Sequence, residues 1–323
     1  MAVNSHRRAA WRRPAGATSL DAAGITDPRL RQDFLTCRAL HAEHGRTYFL
    51  ATGLLPPGKR PYVWALYGFA RYADELVDSL EAPDPDGLLT WGESFLDALR
   101  TGTVHDPVGR AMLTTVRRWD IPTEHVEAFL RSMRMDITRT GYATYADLEE
   151  YMYGSAAVIG LQMLPVLEPV SAEAACHARL LGEAFQMSNF VRDVGEDLDR
   201  GRVYLPQEDL DAFGVTVADL RAGRAAGSTP AAVRRLLAFE VERTRELYRR
   251  AEPGIAMLHP TSRDAIRCAY VLYGDILRAV ERSGYRVLER RVAVPLPRRA
   301  QVALPALARA RWARGQAVRW QQA

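Results

Sequence analysis

From residue 28 onward, apolar positions recur three and four apart almost without interruption, while the alternating runs bounded by turn residues that mark β-strands are missing. The pattern predicts an all-α fold. Turn signals break it at Leu55-Pro56-Pro57-Gly58, at Ala82-Pro83-Asp84-Pro85-Asp86-Gly87, over residues 102–107, near Pro122, and over residues 165–169, 201–206, 222–230 and 294–297. These divide the chain into about ten helices, several longer than the globular average. One helical domain is expected over residues 26–297, preceded by a flexible Arg-rich leader at residues 1–25 and followed by a basic amphipathic tail at residues 298–323.

Composition then removes whole classes. With 323 residues, 48% hydrophobic and 25% charged, the chain has globular proportions and can bury a sizeable core, which excludes disordered and fibrous proteins. Cys37, Cys176 and Cys268 lie far apart, without disulfide-scaffold or metal-ligand spacing, and the seven histidines show no ligand spacing and read as surface or packing residues. No apolar signal-peptide stretch follows the N-terminal arginines. The longest uncharged apolar run, residues 153–167, is shorter than a membrane span and contains Gln162 and Pro165, so it reads as a buried helix. A reducing, cytoplasmic setting is the expectation.

The net charge of +4 is too small for a histone-like protein, but it is unevenly spread. Residues 1–13 hold four arginines and residues 298–323 six, with no acid in either stretch; without those ten, the 43 basic residues no longer match the 39 acidic ones. The body is acidic and the ends are basic. Val302, Leu304, Leu307, Trp312, Val318 and Trp320 interleave with the C-terminal arginines, which suits either peripheral attachment to the inner face of an anionic membrane or a solvated tail.

Two acidic faces carry the chemistry. Tyr67, Arg71, Asp74 and Asp78 follow i, i+4, i+7, i+11, a core-facing spacing, among apolar neighbours such as Leu66, Phe69, Leu76 and Val77. Like charges four apart repel, and buried carboxylates without partners are too costly, so this stripe asks for arginine or a metal. Gln186, Asn189, Asp193 and Asp197 repeat the logic at i, i+3, i+7, i+11, with Glu196 adjacent. Acidic oxygens supplemented by an amide suit Mg²⁺, which takes one or two carboxylates and completes its shell with water and phosphate oxygens. Diphosphate is the natural guest of such a cage, with Arg71 and the Arg290-Arg291 pair as further cations. An apolar, aromatic interior would shelter an allylic cation.

These residues resemble the head-to-head trans-isoprenoid synthases, the family of phytoene, squalene and dehydrosqualene synthases. The resemblance runs from about His41 to Pro295. It is carried by Tyr48-Phe-Leu-Ala-Thr-Gly-Leu-Leu-Pro56, by Ala65-Leu-Tyr67 through Asp78, by Tyr151-Met-Tyr153 through Gly160, by Gln186 through Asp197 with Arg200-Gly-Arg202-Val-Tyr204-Leu-Pro206, and by Tyr273 through Arg291. It implies a helical bundle of the class I isoprenoid synthase type, with a central cavity between two opposed Asp-rich helices. It further implies Mg²⁺, with Mn²⁺ as a substitute, on Asp74, Asp78, Asn189, Asp193 and Asp197, and diphosphate contacts from Arg71 and Arg290, Arg291 standing as the substitute. Tyr67, Tyr273 and Gln186 match positions around the reaction centre, Tyr151, Ala157 and Gly160 would border the prenyl channel or simply pack, and Asp136 matches a family acid or a structural ion pair. Where the family has His-Ser-Lys-Ser-Phe, this chain reads His44-Gly45-Arg46-Thr47-Tyr48: Thr47 keeps a hydroxyl for substrate, and Gly45 puts one phosphate contact in doubt.

The implied enzyme is a prenyltransferase joining two geranylgeranyl diphosphates through a cyclopropyl diphosphate to phytoene, without NADPH, and passing its product toward a downstream carotenoid enzyme. The residues around Arg134-Met-Asp136 and after Met152 favour this over presqualene diphosphate, squalene or dehydrosqualene synthesis from farnesyl diphosphate, which stays as the alternative. A helical nucleic-acid-binding protein using its Arg-rich ends is the non-enzymatic alternative; it leaves two acidic faces unexplained, so no nucleic acid is expected.

Overall fold

The computed structural model describes residues 15–78 and 83–322, apart from the side chains of Asp78 and residues 318–322. Fifteen α-helices run through them: α1 Ala17–Ala22, α2 Pro28–His44, α3 Arg46–Thr52, α4 Arg60–Asp78, α5 Pro85–Thr101, α6 Pro107–Trp119, α7 Thr123–Thr138, α8 Tyr145–Met152, α9 Val158–Leu167, α10 Ala174–Asp199, α11 Gln207–Ala212, α12 Val217–Ala225, α13 Ala231–Ala251, α14 Pro260–Arg282 and α15 Leu296–Gln322. No strand occurs among the described residues, only an isolated bridge between Pro169 and Leu258. More helices form than the pattern predicts because α1, α3, α11 and α12 have only six to nine residues, too few to carry a full apolar stripe.

Local chemistry starts several of these helices. Three Asp-Pro pairs place an aspartate at the N-cap and proline in the first turn, where its missing N–H costs nothing. Asp27 accepts from the Leu30 amide, Asp84 from Gly87 and Asp106 from Gly109, all at 2.7 to 2.8 Å. Helices α4, α7, α9, α10 and α14 surround the interior, with α2 and α6 packed on α4 and α13 packed on α10. Buried Lys59 fastens one end: its Nζ donates to Ser262 Oγ at 3.0 Å and pairs with Glu168, joining the approach to α4, the exit of α9 and the start of α14.

Both chain ends enter the fold further than expected. The flexible leader read to residue 25 is contradicted from residue 17: α1 buries Leu20, Ile25 joins the core, and Tyr62 donates to the Ala23 carbonyl, while residues 1–14 lie outside the described part. The tail is a helix packed along α14. Ala303, Ala306 and Ala310 are buried, Arg298 pairs with buried Asp275, and Arg309 pairs with Asp264. Leu296, Leu304 and Trp312 of this helix are exposed.

Candidate active site

A cavity of about 300 Å³ lies within the bundle. At one end it is lined by His41, Tyr48, Tyr67, Gln186 and Asn189, and at the other by Leu55, Leu167, Ile255 and Leu258. Helix α4 brings Tyr67 to the wall and continues two turns to Asp74; α10 brings Gln186 and Asn189 and continues one turn to Asp193 and two to Asp197. The polar end of the cavity therefore leads to both acidic faces.

Aromatic rings join the helices there. Tyr48 of α3 is the hub, its ring centroid 4.4 Å from Tyr273 of α14, 5.7 Å from Phe185 of α10 and 6.4 Å from Tyr67 of α4. Tyr273 also lies 4.6 Å from Phe185, so it stands behind Tyr48 while touching the same group. Burial, reinforced by Tyr273, pushes the Tyr67 phenol above its ordinary value, and burial likewise raises Tyr273. Both are neutral phenols. Tyr48 and Tyr67 line the cavity and can offer π-faces to a cation, whereas Tyr273 is off the lining and backs Tyr48.

Each acidic face is already paired with arginine. Arg71 Nη1 donates to Asp74 Oδ2 at 2.6 Å. Asp193 accepts from Arg192 Nε at 2.7 Å and Nη2 at 2.5 Å, and from Arg291 Nε at 2.8 Å and Nη2 at 3.2 Å. Burial alone would raise the Asp193 carboxyl, but hydrogen bonds and charge from Arg192 and Arg291 outweigh it and hold it below the usual carboxylate range. Asp197 lies 3.9 Å from Arg200. The sequence pointed first to Arg290; Arg291 is the residue that meets Asp193, and Arg192 was missed because its neighbour in sequence is its partner in space.

Among the described residues, which leave out the Asp78 side chain, no three of His, Cys, Asp and Glu converge into a metal cluster. The donors are nevertheless hard oxygens. Asn189 Oδ1 is buried without a hydrogen-bond partner and Asp193 is held ionised, so both fit a magnesium ion that draws other ligands from phosphate and water.

The channel residues divide. Gly160 lines the cavity, and its lack of a side chain also lets α9 approach α10, because a Cβ would stand 2.2 Å from the Ala178 carbonyl oxygen. Tyr151 and Ala157 are off the lining, contrary to the channel reading. Buried Tyr151 instead donates to Asp136 Oδ2 at 2.8 Å, where Tyr204 donates to the other oxygen at 3.3 Å. Asp136 is thus held by tyrosine hydroxyls. Between α8 and α9 the backbone widens into a π-turn, Tyr153–Ala157, a common feature of functional sites. It sets Ser155 on the lining with an unpartnered hydroxyl, a residue that helical periodicity could not single out. Thr47 sits half-buried in the first turn of α3, next to Tyr48.

Gly45 has a visible purpose. A Cβ there would stand 2.6 Å from Tyr67 Cζ and 2.8 Å from His41 Cδ2, so glycine admits the stacking of His41 on Tyr67, whose centroids are 4.1 Å apart. The expected surface or packing role of His41 is half right: it is fully buried, but on the cavity wall.

The squalene/phytoene synthase family model matches residues 41–298. The chain belongs to the squalene/phytoene synthase family. It is 35% identical over 300 residues to phytoene synthase of Arthrospira platensis, covering 88% of this chain and 96% of that one. It is 34% identical over 288 residues to 15-cis-phytoene synthase of Synechocystis sp., covering 85% and 84%. Among solved structures, a dehydrosqualene synthase bound to a ligand superposes with a TM-score of 0.77 at 28% identity, over 86% of this chain and 96% of that one. Squalene synthase HpnC from Alicyclobacillus acidocaldarius gives 0.72 at 28% identity, over 82% and 98%. The all-α isoprenoid synthase fold is shared.

Proposed function

We propose that this enzyme condenses two geranylgeranyl diphosphates head to head, through a cyclopropyl (prephytoene) diphosphate, into phytoene. The observation that carries this reading is one cavity that begins at neutral aromatic and amide groups beside two arginine-paired acidic faces and ends among aliphatic side chains. Relatives named phytoene synthase support the C20 substrate over the C15 alternative.

In this reading Asp74, Asp78, Asn189, Asp193 and Asp197 hold magnesium. When bound, the ions neutralise the diphosphate and ease its departure. Arg71, Arg290 and Arg291 bind the diphosphate oxygens, with Thr47 at the entrance. Gln186 orients the reacting head, and the faces of Tyr67 and of Tyr48, backed by Tyr273, stabilise the positive charge left on the allyl group while the apolar walls exclude water. The double bond of the second molecule attacks that cation, and loss of a first proton closes the cyclopropane ring; departure of the second diphosphate and rearrangement then leave the final cation. The final cation loses a proton, so no NADPH is consumed. Comparing kcat/KM for C20 and C15 prenyl diphosphates tests the substrate: preference for C20 supports the reading, and preference for C15 overturns it.

No helix of the described residues is long and apolar enough to cross a membrane. The exposed Leu304, Arg311 and Trp312 of α15, with exposed Leu296 at its start and no acid along the helix, suit peripheral contact with the anionic inner face of a membrane, where an apolar product would pass to a downstream enzyme. Flotation with anionic and neutral vesicles tests it, and equal absence of binding to both contradicts it.

A further inference from the structure

His41, in the last turn of α2, has no exposed surface and lines the polar end of the cavity. Its ring stacks on Tyr67 at 4.1 Å and 12°, and the edge of Phe49 lies 5.3 Å away. Neither imidazole nitrogen has a hydrogen-bond partner among the described residues. A buried polar group left in that state costs about 1–3 kcal/mol, which a phenylalanine or methionine of similar size would avoid. Fold stability therefore gives no reason for histidine here.

Its protonation state is clear. Burial pushes the imidazole from 6.5 down to about 3, and no carboxylate offsets this, so the ring is neutral with one nitrogen lone pair free. Neutrality matters beside a carbocation, which a standing imidazolium would repel. The other polar groups on the lining are weaker bases or distant: Asn189 and Gln186 offer amides, Ser155 and Thr52 hydroxyls, and Tyr48 and Tyr67 phenols. His177 is at the opposite end, its Nδ1 engaged with the Arg250 carbonyl at 2.7 Å.

We infer that His41 accepts the proton lost in the last step, an assignment that rests on the proposed head-to-head condensation. The C–H bond next to the cationic carbon breaks, its electron pair becomes the new C=C bond, and the proton forms the second N–H of the imidazole. A weak base suffices, because a C–H bond beside a carbocation is a far stronger acid than imidazolium. Burial then disfavours the imidazolium, which returns the proton to the inorganic diphosphate that the reaction has released. Gly45 is part of the same device, since any side chain there would displace either His41 or its supporting Tyr67.

The test compares His41→Phe, which keeps an aromatic stack and removes both nitrogens, with wild type on C20 diphosphate and Mg²⁺. First diphosphate release is expected within about twofold of wild type, while C40 hydrocarbon falls about 10²-fold and cyclopropyl diphosphate or C40 alcohols accumulate. Hydrocarbon at the wild-type rate, or an equal fall in both steps without diverted products, overturns the assignment. If wild type itself makes no C40 hydrocarbon, the proposed function fails instead. His41→Gln is the second variant, with the same product readout. The wild-type imidazole ¹⁵N signals need no variant: a neutral ring at pH about 6 is expected, and an imidazolium there overturns the inference.

Discussion

Arg291 donates from Nε to Asp193 Oδ1 across 2.8 Å, linking positions 98 residues apart. With Arg192 on the other side, the carboxylate is held between two guanidiniums. In the proposed reaction Arg291 moves from this carboxylate to the diphosphate. Arg291→Ala is expected to leave the fold intact, because the residue is half exposed, and to raise KM for the prenyl diphosphate about tenfold; Arg291→Lys recovers only part, since lysine cannot form the two-pronged contact. Steady-state kinetics decide, and an unchanged KM contradicts the role.

The same pairing fixes an acid dependence. The Asp193 carboxyl is depressed in the folded chain, so its contribution to stability is present above the ordinary carboxylate range and is lost as pH falls through the lowered value. Asp193→Asn should flatten the acid limb of a stability profile measured by urea unfolding from pH about 5 to about 2. A variant that loses stability on acidification as steeply as wild type would contradict this.

Glu240 predicts the opposite slope. It is fully buried on α13, and Arg243 reaches both its carboxylate, at 3.1 Å, and Asp209, at 2.6 Å, so one cation faces two acids. Burial raises the Glu240 carboxyl despite Arg243, and Asp209 raises it further. A raised folded value means stability present while the group is protonated and lost as pH climbs through that value. Glu240→Gln should therefore raise the thermal midpoint by several degrees at pH about 9 and change it little at pH about 5. A lower midpoint at the higher pH speaks against it.

Gly45→Ser restores the residue more usual in the family at this position and should nonetheless harm this chain. The new Cβ meets Tyr67 and His41 inside van der Waals contact, so an overpacking loss of about 1–3 kcal/mol is expected together with reduced turnover. Wild-type stability in thermal melts would show that the stack yields freely.

The helical class was legible in the sequence because it depends on spacing along single helices. Asp74 and Asp193 stand out by their i, i+4 acidic partners, but only Asp193 is mostly buried; the Asp74 side chain stays 41% exposed, which the core-facing spacing did not anticipate. What was not legible depends on contacts across the bundle. Arg192 looks like an ordinary surface charge until it meets Asp193, Arg291 ranks behind Arg290 until it does the same, and His41 looks like packing until Tyr67 covers it and Gly45 makes room. Ser155 reaches the cavity through a π-turn, which breaks the periodicity used to place it. The leader was read too long because α1 has six residues, fewer than two turns, and the stripe needs more.

The central claim is the product. The purified chain incubated with geranylgeranyl diphosphate and Mg²⁺, without NADPH, is expected to release a C40 hydrocarbon with the mass of phytoene and two diphosphates per product. Accumulation of only a cyclopropyl diphosphate, or C30 product from farnesyl diphosphate with none from the C20 substrate, would contradict it.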